Sequence, residues 1–176
     1  MQEFLRRLKL IDTMTTTLPT SKVEFVNRLN EITDEGSTGM LSDPFDVFSS
    51  SEKEFKGQVN STGFKIKRRR KFFDTNKNFA VATGTFKEDI GQLTVETTIN
   101  GFNNFFIVFY VFLLVFYSVF IIGILFSDAK EVFFIIPFLF LHGTFMFAIP
   151  YFIMRRSVKR MKYELEREFF FFTKGF

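Results

Sequence analysis

The sequence predicts an α+β membrane protein with an N-terminal helix and four-stranded antiparallel meander, a two-helix transmembrane hairpin and a C-terminal amphipathic helix. Residues 105–126 and 132–154 contain no charged side chain. As helices of roughly 33 Å, at ~1.5 Å per residue, both are long enough to span a bilayer. Before them, four short stretches within residues 55–99, separated by turn sequences, alternate between apolar and polar side chains, a pattern typical of strands with one buried face.

Changes in composition divide the 176 residues into six segments. They are a flexible or interfacial N-terminus (1–19), an α+β head (20–101), a first transmembrane helix (105–126), a short loop (127–131), a second transmembrane helix (132–154) and an amphipathic helix with a tail (155–176). A loop this short requires the two apolar helices to be adjacent and antiparallel.

The head begins with a helix. Ser21 and Glu24 form a capping-box pattern, apolar residues then recur at helical spacing as far as Ile32, and Gly36 is the expected helix stop. Four short strands follow, and the first helix is expected to cover their apolar face.

The segment after Met154 carries an apolar stripe at helical spacing. The stripe consists of Val158, Met161, Leu165, Phe169 and Phe172. Such a helix lies on a membrane surface, packs on the sheet or docks on a partner, and the pattern does not choose among these.

Composition excludes several kinds of chemistry. The chain has no cysteine and one histidine, so it lacks a thiol nucleophile, a thiolate metal site and a multi-histidine metal site. No phosphate-binding loop, paired-carboxylate pattern or metal-ligand spacing is present. We therefore predict no catalytic residue, no metal ligand and no cofactor, and expect the chain not to be an enzyme.

Charge predicts the orientation in the membrane. Six lysines and arginines lie between Arg155 and Arg167, and such an excess near the end of a span marks the cytoplasmic side. With two spans, the head is then cytoplasmic too. The sequence thus predicts a membrane protein with both termini in the cytoplasm.

Several short motifs together carry a resemblance. F-K-G-Q-V (55–59), F-K-I-K-R-R (64–69) and G-x-F (84–86) precede a threonine-rich strand, two apolar spans and a charged helix. This arrangement resembles a group of small bacterial membrane proteins that place a β-meander before a transmembrane hairpin. The resemblance implies this architecture and a place in the bacterial inner membrane, but no activity, because no biochemical function is assigned to that group.

Two basic groups are candidate contacts with lipid or a partner. The first is a strand face with Lys65, Lys67, Arg69 and Lys71, and the second follows Met154 with Arg155, Arg156, Lys159 and Arg160. The strand group is either a solvated face that protects a sheet edge or a surface for anionic headgroups. Nucleic-acid binding is disfavoured because few aromatic side chains lie beside the cluster and the head is nearly neutral.

His142 is a candidate polar site within the second apolar segment. The antiparallel geometry places Tyr117 or Ser118 at a similar depth, where either could pair with the imidazole. A haem ligand or a proton relay is the functional alternative, although a bis-histidine haem site would require a dimer.

From these features we expect a non-enzymatic accessory or assembly subunit that binds a protein partner, or a second copy of itself, through its head and tail. Two alternatives remain open: a surface protein that binds anionic lipid, and a membrane enzyme or carrier that uses His142.

Overall fold

The structure, a computed structural model, describes residues 2–39, 52–69, 79–126 and 132–174. It divides into two units, one formed by residues 1–102 together with 154–176 and the other by residues 103–153. The predicted loop 127–131 and the candidate contact Lys71 lie outside the described residues. The elements are α1 (Gln2–Arg7), β1 (Ile11–Leu18), α2 (Lys22–Glu31), β2 (Thr33–Glu35), β3 (Phe55–Val59), β4 (Gly63–Arg68), β5 (Val81–Asp89), β6 (Gln92–Asn100), α3 (Asn104–Leu125) and α4 (Val132–Lys174).

The first unit contains a six-stranded sheet in the order β1-β6-β5-β4-β3-β2. Neighbouring strands are antiparallel except β2 and β3, which are parallel. The α+β class is confirmed, but the predicted count of four strands is wrong. The two additional strands, β1 and β2, are the sheet edges, and each pairs with a strand that is distant in sequence.

The expected flexible or interfacial N-terminus, residues 1–19, contains an ordered strand, so flexibility is the wrong expectation for residues 11–18. Ile11 to Leu18 form β1, which pairs with the whole of β6 from Asn100 to Leu93. Met14 and Leu18 contribute to the buried core. The sequence analysis missed this strand because half of its residues are threonines and few are apolar. An edge strand with one buried face needs an apolar side chain at no more than every second position.

The helix α2 begins as predicted and ends earlier than predicted. The Ser21 hydroxyl caps it by accepting a hydrogen bond from the Glu24 amide at 3.3 Å. The expected stop at Gly36 is wrong, since the helix ends at Glu31 and the chain continues directly into β2. Pairing of β2 with β3 satisfies backbone groups that another helical turn would otherwise have bonded.

One face of the sheet is covered by α2 and by the C-terminal part of α4. Phe25 and Leu29 of α2 are fully buried there, and so is Phe169 of α4. The whole predicted stripe of the tail, from Val158 to Phe172, belongs to this core. Of the three positions left open for the tail helix, the structure shows packing on the sheet.

The second unit consists of α3 and the apolar part of α4. Both helices are long and apolar enough to cross a membrane, and most of their apolar side chains are exposed. In the most apolar stretch of α3 only 17% of the residues are buried, whereas the core helix of a soluble protein is mostly buried. The helix α4 continues through Met154 without interruption, so the predicted second span and tail are parts of one helix.

Candidate functional sites in the head and in the apolar helices

The basic residues of β4, and Arg69 just after it, were expected to be exposed, either to solvent or to anionic headgroups, and two of them are buried. Lys65 is exposed, but Lys67 is only 4% exposed and Arg69 only 5%. The Lys67 ammonium donates to the Gly39 carbonyl at 2.9 Å, and the Arg69 guanidinium pairs with Asp34. The chain around β2 supplies both acceptors, and the sequence analysis had not placed that segment beside the strand.

The opposite face of β4 joins the sheet to α4 through a buried carboxylate. Glu164, with a side chain 5% exposed, pairs with Arg68 of β4 and with Arg160 one helical turn earlier. Both guanidinium groups donate to Oε1, and Oε2 has no hydrogen-bond partner among the described residues. Because a buried charge is costly unless it is paired, these two arginines are structural partners of the glutamate.

Further polar bonds fix the same helix to the rest of the head. The Lys162 ammonium lies 3.0 Å from the Asp12 carboxylate of β1. The Arg28 guanidinium of α2 donates to the Phe172 carbonyl at 3.1 Å, where a cation is favourable beside the last carbonyl groups of a helix. Near the same end, the hydrogen bond to Glu168 raises the pKa of Arg167 above its usual value.

The candidate basic residues therefore do not form one surface. Arg156 and Lys159 are exposed and Arg155 is half-buried on α4, whose other side packs on the inner face of the sheet. Arg160 is bound to Glu164. Lys65 projects from the outer face of the sheet, on the opposite side of the sheet from α4.

His142 forms a hydrogen bond with one of its two predicted partners, Tyr117. The Tyr117 hydroxyl lies 2.7 Å from Nδ1 of His142, and this hydrogen bond links α3 to α4. Ser118 is not part of the pair, because its hydroxyl donates to the Leu114 carbonyl of its own helix at 2.7 Å. The Phe138 ring stacks on the imidazole with a centroid distance of 6.1 Å and an interplanar angle of 13°.

The sequence analysis missed an array of threonines on the outer face of the sheet. In the strand register, Thr13, Thr98 and Thr83 form one row across β1, β6 and β5. The next two rows are Thr15, Glu96 and Thr85, and then Thr17, Thr94 and Lys87. All nine side chains are exposed except Thr94, which is half-buried. We call this surface the threonine face.

A salt bridge neutralises the charges on the threonine face. The Lys87 ammonium lies 2.6 Å from the Glu96 carboxylate. The sequence does contain a signal for this face, because threonines recur at every second position in residues 13–17 and again at residues 94 and 98. This signal indicates one shared face only if residues 11–18 are known to form a strand beside β6.

The described residues contain no cluster of three or more histidine, cysteine, aspartate and glutamate side chains able to hold a metal ion. No family model matches this chain, and no curated protein or solved structure matches it. The resemblance to small bacterial membrane proteins with a β-meander and a transmembrane hairpin therefore stays a prediction.

Proposed function

We propose that the chain is a two-span protein of the bacterial inner membrane whose head and tail both lie in the cytoplasm. The proposal is carried by one observation: residues before the first apolar helix and residues after the second build the same hydrophobic core. Two parts of one core must lie in the same compartment. An even number of crossings between them meets this requirement, and α3 and α4 supply two.

The side of the membrane follows from charge. The basic residues from Arg155 to Arg167 begin directly after the apolar part of α4, and lysine and arginine near the end of a span favour the cytoplasmic side. This applies even to Arg160 and Arg167, although both are engaged in ion pairs. Insertion responds to charge before the head has folded.

Single cysteines test this topology cleanly because the natural chain contains none. Ile90→Cys places a thiol in the β5–β6 turn, where Ile90 is 98% exposed, and Asp128→Cys places one between the two apolar segments. We expect a membrane-impermeant maleimide to label Asp128→Cys in intact spheroplasts and Ile90→Cys only after permeabilisation. Labelling of Ile90→Cys in intact spheroplasts would contradict the proposed orientation.

Within this topology we propose the role of a non-enzymatic accessory or assembly subunit. The apolar stripe of the tail and much of the basic strand are engaged in building the head. They are therefore not the contact surface, and the threonine face takes their place as the candidate. Its polar side chains and paired charges suit a contact that forms and dissociates while the head stays folded.

Affinity purification tests the role. The tagged chain is extracted from its native membrane in mild detergent, and the bound proteins are identified after a sizing column. We expect a stoichiometric second protein, which Thr83→Lys/Thr85→Lys should lose while the head stays folded. Recovery of the chain without any second protein would contradict the accessory role.

Binding of anionic lipid is the second candidate, favoured by the exposed side chains of Arg156 and Lys159 just after the apolar part of α4. On this hypothesis, Arg156→Gln/Lys159→Gln lowers the anionic lipid retained by the purified chain. Lys65→Gln on the outer sheet face is the control. Equal retention in the wild type and both variants would remove this candidate.

A membrane enzyme or carrier that uses His142 is the third candidate, and the hydrogen bond to Tyr117 bears on it. That bond gives the imidazole a structural partner, which favours a role in joining the two helices. If the third candidate is correct, His142→Leu abolishes the cellular function of the chain without lowering its amount in the membrane. A functional His142→Leu variant would exclude it.

A further inference from the structure

The edge strand β1 has no pairing partner on its outer side among the described residues. It is eight residues long and pairs only with β6. The edge strand at the other side of the sheet, β2, has three residues and carries Asp34 and Glu35. Short length and charge are usual protections of a sheet edge against association, whereas β1 is long and carries a single charged residue, Asp12.

The register shows which backbone groups of β1 point away from β6. The Gly101 amide donates to the Leu10 carbonyl at 2.9 Å, so Leu10 directs its carbonyl toward β6. Carbonyl groups alternate between the two sides of an extended strand. The odd-numbered residues of β1 therefore direct their backbone groups to the open side. These residues are Ile11, Thr13, Thr15 and Thr17.

A local contact agrees with this assignment. The Thr13 amide donates to the carboxylate of the adjacent Asp12 at 2.8 Å, which an amide bonded within the sheet would not do. Side chains of Thr13, Thr15 and Thr17 are exposed. Between Ile11 and Leu18 the strand has no proline and no lysine, and its register with β6 is continuous without a bulge.

We propose that β1 pairs with β1 of a second copy of this chain, antiparallel and about a two-fold axis at Met14. In this register Thr13 lies opposite Thr15 of the second copy, and Ile11 lies opposite Thr17. All four odd-numbered residues then find partners. The result is one sheet of twelve strands that runs through both copies and continues the threonine face.

The register argues for a second copy as the occupant. A shift by two residues in one direction places Ile11 opposite Pro19, which has no amide hydrogen to donate. A shift by two in the other direction places Thr17 opposite Lys9, beyond the strand. In the proposed register the single charged residue, Asp12, lies opposite Thr16 and no like charges meet.

Confinement of the chain to a membrane raises the effective concentration of a second copy, which favours such pairing. The pairing itself does not rest on the proposed accessory role. The accessory role is tested by recovery of a different protein, whereas self-pairing is tested by contact between two identical chains. Either proposal can therefore fail alone.

Cysteine cross-linking tests the register. Thr13→Cys and Thr15→Cys chains carrying different tags are co-expressed, and the membranes are treated with a mild oxidant. Directly opposed residues of a hydrogen-bonded pair have Cα atoms about 5.5 Å apart, within the range for a disulfide. We expect the mixed pair to form at least about fivefold more covalent dimer than either variant alone, since each alone places its thiols two positions out of register.

Thr83→Cys and Thr85→Cys are the matched control pair. They lie on the same face and opposite the same β6 residues, Thr98 and Glu96, but on the inner strand β5. We expect little covalent dimer from this pair. If the Thr13/Thr15 mixture forms no more dimer than the Thr83/Thr85 mixture, the proposal is overturned.

A charge variant tests the same surface without a cross-link. Thr13→Lys/Thr15→Lys sets lysine against lysine in the proposed dimer, while Thr15→Lys also faces Glu96 within its own sheet. We expect light scattering in detergent to show a dimer of the 20.8-kDa chain for the wild type and for Thr83→Lys/Thr85→Lys, and a monomer for Thr13→Lys/Thr15→Lys. A wild-type monomer, or a different protein held by β1, would overturn self-pairing.

Discussion

The head and the pair of apolar helices treat the same residue type in opposite ways. Phe25, Phe55 and Phe169 are fully buried in the head, whereas Phe138 is 69% exposed and Phe140 is 78% exposed. Folding removes the first group from water, because the sheet and two helices close around it. The second group stays outward, which is stable only where the surroundings are apolar too. These two sets of phenylalanines therefore suit two different surroundings, a closed protein core and an apolar medium.

The two units also differ in the kind of polar side chain that they contain and in how it is paired. The head buries full charges and pairs them, as with Glu164 and its two arginines. In the described part of the apolar unit, hydroxyl groups either join the two helices, as those of Tyr117 and Tyr110 do, or donate to the backbone of their own helix, as that of Ser118 does. Ion pairs thus fix the tail to the sheet, while hydrogen bonds of Tyr117 with His142 and of Tyr110 with the Phe147 carbonyl connect the two apolar helices.

The largest effect on stability should come from removing a buried ring that the tail helix contributes to the core of the head. We expect Phe169→Ala to lower the free energy of unfolding by about 4 kcal/mol, because a fully buried ring leaves a cavity. Phe170→Ala is the matched control at the next position, where the ring is 53% exposed, and it should cost less than about 0.5 kcal/mol. Denaturant unfolding of the full chain in detergent measures both. Equal losses would mean that the tail does not belong to the core.

Removal of the buried charge should have the next largest effect. Glu164→Gln keeps the shape of the side chain and leaves Arg68 and Arg160 without their counter-charge. We expect a loss of about 2–3 kcal/mol, below that of a fully buried pair since the arginines are partly exposed. Glu166→Gln, at an exposed position two residues along, should be nearly neutral in the same unfolding measurement. A neutral Glu164→Gln would show that packing alone holds the tail.

A glycine pair contrasts the packing of the two units. A methyl group at Gly101 would lie 2.7 Å from the Val158 side chain and 2.9 Å from the Met154 carbonyl, so the strand end and helix would have to separate. We expect Gly101→Ala to cost about 1–3 kcal/mol. At Gly123 of α3 a methyl group meets no described atom within 4 Å, and Gly123→Ala should not destabilise the chain. Similar melting temperatures for the two variants would contradict this contrast.

The smallest effect should come from the hydrogen bond of Tyr117 with His142, one of those between the apolar helices. Tyr117→Phe removes it, and interhelical hydrogen bonds in membranes average about 0.6 kcal/mol. Because the chain has one histidine, the nitrogen NMR signals of His142 report the bond directly. Tyr117→Phe should shift the Nδ1 signal and Ser118→Ala should leave it unchanged. The reverse pattern would assign the pair to Ser118.

The sequence analysis succeeded where a local pattern has one physical cause. The start of α2 follows from Ser21, and the apolar helices follow from uninterrupted runs of apolar residues. The expected depth of His142 in the helix pair left Tyr117 and Ser118 as its possible partners. Which of the two faces the imidazole depends on how each helix is rotated about its axis. Periodicity does not fix that rotation.

Its errors share one cause, which is pairing between segments that are distant in sequence. Residues 11–18 form a strand because they pair with β6. Helix α2 ends at Glu31 because residues 33–35 pair with β3. Lys67 and Arg69 looked like solvated charges until the chain around β2 covered them. No local pattern records such a neighbour.

The sequence by itself determined the two apolar helices, the amphipathic stripe of the tail and the alternation of the central strands. Each of these follows from the pattern of side-chain polarity along the chain, because the length of an apolar run or the spacing of apolar residues indicates the local backbone geometry. Only the tertiary structure decided that the stripe packs on the sheet rather than on a membrane or partner. A stripe of apolar side chains gains the same free energy from any apolar surface, and the surface it meets depends on where the rest of the chain folds.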